Sequence, residues 1–145
     1  GVGRVSTSLI GAAAHLRTTM HIASAAHRMP PSDLQWYRSG DVRLRGLVAE
    51  LQDDDRVVAF AESELGALWA HDGQDRDELL ALLRSYLAHR GNKSAVADEV
   101  HLSRQTLYRR LRRLESLLGV DLDDAESATT LGVALLINDL KSDVR

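Results

Sequence analysis

The chain contains no cysteine, only two prolines, a single phenylalanine and 4% aromatic residues. Without cysteine there is no disulfide framework and no thiolate metal site, which points to a cytoplasmic setting. The two prolines are adjacent, at Pro30 and Pro31, so long tracts on either side are free to be helical. Few aromatics beside abundant Leu and Ala argue for packed helices over sheets. No apolar run approaches the ~20 residues needed to span a bilayer, and the N-terminus lacks the charged-then-apolar layout of a secretory signal, so no membrane partner is expected. Gly-rich phosphate loops, nucleophile elbows and paired metal ligands at i, i+4 are missing as well. The chain therefore reads as no enzyme, with no catalytic residue, cofactor or metal expected. His15, His21 and His27 recur every six residues, about 600° around a helix, and cannot share one ion.

What is present centres on residues 92–118, NKSAVADEVHLSRQTLYRRLRRLESLL. A short helix over 93–100, a turn over 101–103 and a longer helix over 104–118 make a helix-turn-helix. Apolar residues fall at Val96, Val100, Leu102 and Leu107, with small Ala97 where the second helix must cross closely. His101 stands where the corner demands positive φ, a conformation His tolerates better than most residues. Ser103 is a favoured N-cap. Leu107, Leu111, Leu114 and Leu118 then form one buried stripe. The opposite surface carries Arg104, Gln105, Tyr108, Arg109, Arg112 and Arg113. Between Arg90 and Leu118 seven cations face three anions, a local +4, while the chain as a whole is −3 and its remainder therefore −7. A cationic island on an acidic chain suits a phosphate-binding surface. Within the second helix only Glu115 is at hand as an acidic partner, so a face laced with salt bridges is the weaker reading.

Elsewhere the pattern predicts a mainly α protein, a helical bundle with room for a short strand near the N-terminus. Residues 9–29 read as a helix ended by Pro30-Pro31. Leu34-Gln35-Trp36-Tyr37 reads as an edge strand or connector, and Arg38-Ser39-Gly40-Asp41 as a turn. Val42, Leu44, Leu47, Val48 and Leu51 space as one helical stripe. Asp53-Asp54-Asp55 caps the next helix and is no cation site, Gly66 interrupts that helix, and residues 71–75 form a surface loop and module boundary. Leu79, Leu82, Leu83, Tyr86 and Leu87 define an amphipathic helix over 77–89, stopped by Gly91, with Asn92 capping its successor. Gly119 closes the long helix, residues 120–124 run extended, and a last apolar helix covers about 126–140.

The segments LLRSYLAHRGNKSAVADEVHLSRQTLYRRLRRLESLLGVDLDD and LGVALLIND resemble the C-terminal helix-turn-helix domain of the PucR/CdaR family of bacterial transcriptional regulators. Gln105 stands where Asn is common in that family, and Tyr108 precedes an Arg pair where an Arg-Tyr-Arg order is frequent. The earlier LRGLVAELQDDDRVVAFAESELGALWAHDG and GVGRVSTSLIGAAAHLRTTMHIASAA are similar to the connector and last helix of the family's central GGDEF-like domain. The Gly-Gly-Asp-Glu-Phe signature of cyclases is not in the sequence. The resemblance implies two parts: residues 1–73, the end of a central GGDEF-like domain plus a helical connector, and residues 74–145, the DNA-binding domain. It also implies that an effector is sensed by a domain outside this chain.

On this reading Arg104, Gln105, Tyr108 and Arg109 enter the major groove of double-stranded DNA, where Arg and Gln pair bidentately with guanine and adenine edges. Lys93, Ser94, Thr106, Arg110, Arg112 and Arg113 meet phosphates. Because one helix reads few base pairs, a homodimer or higher homo-oligomer is expected. The competing class is a helical protein-interaction or dimerisation module whose arginines bind an acidic partner without DNA.

Overall fold

The computed structural model describes residues 2, 5, 7–27, 37–51 and 53–142. Among these there are seven helices and no strand: α1 (Leu9–His27), α2 (Ser39–Leu51), α3 (Asp55–Trp69), α4 (Gly73–Ala88), α5 (Lys93–Glu99), α6 (Arg104–Leu118) and α7 (Ala125–Ser142). The helical expectation holds; the short strand does not appear among the described residues, and residues 34–36 of that expectation, with Pro30-Pro31, lie outside them. The chain divides into two compact units, Gly1–Val58 with Leu136–Arg145, and Ala59–Leu135.

In the first unit α1 packs on α2. Ser8 accepts the Gly11 amide at 3.1 Å and starts the Ala-rich α1, whose Ile22 and Ala25 bury against Val42 with Tyr37 alongside. Two sequence expectations need correction here. The turn over residues 38–41 is already helix from Ser39 onward, and the stripe through residues 42–51 is split. Arg43 takes φ 37, ψ −131 inside α2, which shifts the helical phase, so Val42, Val48 and Ala49 are buried while Leu44, Leu47 and Leu51 remain 49%, 58% and 40% exposed.

Asp54 caps α3 as expected: its Oδ1 accepts the Arg56 amide at 2.9 Å, and its carbonyl accepts the amide of Val58 at 3.0 Å. The Arg56 guanidinium, 2.7 Å away, helps draw the Asp54 carboxyl down to about 2. Gly66 does not interrupt this helix; α3 runs through it to Trp69 with Leu65 and Leu68 fully buried. The expected loop over 71–75 is also shorter, because Gly73, Gln74 and Asp75 form the first turn of α4. The first-turn amides leave the helix start electropositive, which favours a polar, acidic first turn, and Asp75 suits that positive end.

In the second unit α4, α5 and α6 pack against one another. Leu79, Leu82, Leu83 and Tyr86 of α4, Val96 and Ala97 of α5, and Leu107, Leu111 and Leu114 of α6 are buried, while Leu118 is half-buried. Residues 120–124 form a turn rather than an extended run, since Asp121 Oδ1 accepts the Asp123 amide at 2.8 Å and the Asp121 carbonyl accepts that of Asp124 at 3.3 Å.

Candidate nucleic-acid interface

The two-helix element is set by its corners. After α4, Arg90 (φ 51) and Gly91 (φ 76) reverse the chain, and a Cβ on Gly91 would stand 3.1 Å from the Tyr86 hydroxyl. Asn92 Oδ1 accepts the Ala95 amide at 3.2 Å and opens α5. His101 takes φ 51 at the next corner, in the left-handed region expected for it. Ser103 Oγ accepts the Thr106 amide at 3.2 Å, and Gly119 ends α6 at φ 69. The base of the pair is clamped by Glu99, whose carboxylate accepts the Ser85 hydroxyl and lies 3.1 Å from His89 Nε2.

With its leucines inward, α6 turns Gln105, Arg109 and Arg112 toward solvent as one row. Among the described residues these three form no ion pair or hydrogen bond. Side chains at the margins of the row are engaged. On the α5 side, Arg104 Nη2 donates to Ser94 Oγ at 3.1 Å, and the Lys93 ammonium lies 5.8 Å above the ring of Tyr108, itself 44% exposed. Half-buried Thr106 shares its hydroxyl with Ser103 at 2.9 Å. On the α4 side, Arg110 pairs with Glu78 at 3.0 Å and Arg113 grips Asp75 through two bonds of 2.8 and 2.6 Å. Hydrogen bonding from Arg113 holds the Asp75 carboxyl below its ordinary range.

A cleft of about 190 Å³ opens beside α6, lined in part by Tyr86, Lys93, Tyr108, Arg112, Glu115 and Asp123. Buried Tyr86 donates its hydroxyl to Asp123 Oδ1, while Lys93 Nζ reaches Asp123 Oδ2 at 2.7 Å. The Lys93 bond, and then that of Tyr86, keeps the Asp123 carboxyl below its usual range. Burial and, after it, the Asp123 carboxylate push the Tyr86 phenol upward. Among the described residues no arginine pairs with Glu115; its Oε1 accepts the Leu122 amide at 3.2 Å.

Asp75, Glu78 and Asp123 are the residues that sequence reasoning missed, because acidic partners were sought only within α6. Subtracting these three carboxylates reduces the local +4 of residues 90–118 to +1. One signal was legible: Asp75 and Glu78 are spaced i, i+3 on one helix, as are Arg110 and Arg113 on the other. Among the described residues, no three His, Asp or Glu side chains are grouped to hold a metal ion. No helix there is long and apolar enough to cross a membrane.

A Thermomonospora curvata protein described as "Uncharacterized protein in pkwA 5'region" is 34% identical over 85 residues, covering 59% of this chain and 47% of that protein. The chain thus spans about half the length of this relative. No solved structure matches the present chain. The family model of the PucR C-terminal helix-turn-helix domain matches residues 79–137, from Leu79 in α4 to Ile137 in α7. Residues 79–137 are therefore a PucR-type C-terminal helix-turn-helix domain.

Proposed function

We propose that this domain is the sequence-specific DNA-binding module of a bacterial, cytoplasmic transcriptional regulator, with α6 lying in the major groove. The observation that carries the reading is the exposed row Gln105, Arg109, Arg112 on a helix whose other face is locked by three buried leucines. A rigid rod presenting unpartnered Arg and Gln is suited to bidentate contacts with guanine and adenine edges. Arg104, Gln105, Tyr108 and Arg109, nearest the helix start, read bases; Arg112, Ser94 and Thr106 meet the backbone. Lys93, Arg110 and Arg113 reach phosphates only by leaving their carboxylates. Residues 1–73 are the end of a GGDEF-like domain with its connector, residues 74–145 are the reading domain, and two or more copies act together on repeated half-sites.

Selection from a random duplex library tests this. The chain should enrich one recurring half-site. A protein-interaction module would retain no duplex even at low ionic strength. Against the selected site, Arg109→Ala should cost about 1–3 kcal/mol and relax one base position, whereas Arg112→Ala should weaken all sequences alike. Equal, sequence-independent losses from both would refute this division of roles.

A further inference from the structure

The cleft between α5, α6 and the turn after α6 contains a cation that is already satisfied, on the side of the domain where a duplex would lie. Lys93 begins α5, sits over the ring of Tyr108 and shares its cleft with Arg112. Arg112 belongs to the solvent-facing row of α6 and Tyr108 flanks it, so a duplex seated on that row brings its backbone to Lys93. Yet Lys93 Nζ is bound to Asp123 Oδ2 at 2.7 Å. Asp123 is a placed group: the hydroxyl of buried Tyr86 holds its other oxygen, Oδ1, and leaves Oδ2 aimed at the ammonium. The carboxylate is thus fixed where one oxygen mimics a phosphate oxygen. It is also open to replacement, since the Asp123 and Lys93 side chains are 58% and 30% exposed. A pair this exposed favours closure by a factor of roughly five or less, too little to withstand a polyanion.

We propose that Asp123 is a built-in competitor of the DNA backbone: it occupies Lys93 in the free domain, and a backbone phosphate takes its place in the complex. This rests on the DNA-binding reading above. The exchange lowers affinity and flattens salt dependence. When Lys93 moves to a phosphate, the freed Asp123 carboxylate stays beside the DNA and offsets the charge that Lys93 brings, so the contact releases little net cation. Removing the competitor uncovers the contact. Asp123→Asn should bind the selected duplex about two- to fivefold more tightly than the unaltered chain, with a log–log salt slope steeper by about 0.9. Glu126→Gln, which removes the same unit of charge from an exposed position three residues away, controls for net charge and should leave the slope unchanged. Adding Lys93→Ala to Asp123→Asn should abolish the gain.

The measurement is fluorescence anisotropy of a labelled duplex over a salt series. In parallel, the carboxylate carbon resonance of Asp123 is followed by NMR in the unaltered chain with and without duplex. Tighter binding, a steeper slope and a displaced Asp123 resonance support the exchange. Asp123→Asn binding no better than Glu126→Gln, or an Asp123 resonance unmoved by saturating duplex, overturns it; the second readout stands even if the variant folds poorly. Absence of duplex binding by every protein would instead overturn the DNA-binding reading, and this inference with it.

Discussion

His101 holds the corner between α5 and α6 at φ 51 with a full side chain, where glycine would rest without strain. Left-handed backbone costs an L residue about 1–2 kcal/mol, partly offset because glycine loses more chain entropy on folding. His101→Gly should therefore raise the unfolding free energy by up to about 1 kcal/mol, and β-branched His101→Val should lower it by about 1–2 kcal/mol, both read as shifts in urea midpoint. Titration supplies a second test at this scale. Asp75, Asp123 and Glu99 are all held below their ordinary values, first by hydrogen bonds from Arg113, Lys93 and Ser85 respectively. A depressed folded pKa means stability that is present above the unfolded values, 3.8 for Asp and 4.5 for Glu, and lost as pH falls through the folded ones. The contribution of these groups to the urea midpoint should be flat above about pH 5 and decline below about pH 4. In Asp123→Asn the acid limb should be shallower; an identical limb would show that Asp123 carries none of it.

Secondary structure was legible wherever one residue type does one local job. Asn92, Ser103 and Gly119 cap and stop helices by chemistry contained within four residues, and the bounds of α6 follow from them. Polar composition, by contrast, does not mark a break in these helices. Ser39, Gly40 and Gly73 sit in first helical turns, where side chains need not be apolar, and Arg43 disrupts a stripe through a backbone angle that no spacing rule reports. Gly66 is the clearest instance. Helix α3 continues through it because residues on both sides are good helix formers, and glycine lowers helix stability without forbidding it. A Cβ at Gly66 would meet nothing within 4 Å. Gly66→Ala should thus stabilise the chain by about 0.5–1 kcal/mol, visible as a higher melting temperature. A lower one would mean that close packing, rather than tolerance, keeps glycine there.

Over the whole molecule, charge decides how the candidate site acts. A chain of net −3 with +4 between Arg90 and Leu118 promises a strong cationic surface. That promise rested on counting along the sequence, and three carboxylates from α4 and the turn after α6 close on Lys93, Arg110 and Arg113. The consequence is measurable as counterion release. Were the four backbone-facing cations, Lys93, Arg110, Arg112 and Arg113, all to neutralise phosphate, the salt slope per bound subunit would approach about −3.6, at ~0.9 for each. With three held by, or exchanging with, carboxylates, only Arg112 among the backbone-facing cations releases ions without compensation, which gives about −0.9. Replacing both α4 acids, Asp75→Asn with Glu78→Gln, frees Arg110 and Arg113 and should steepen the slope to about −2.7. A slope near about −3.6 in the unaltered chain would show that Lys93, Arg110 and Arg113 all reach phosphate without compensation from their carboxylates. An unchanged slope in the double variant would show that α6 presents these two arginines to α4 alone, as braces that keep the reading row aimed outward.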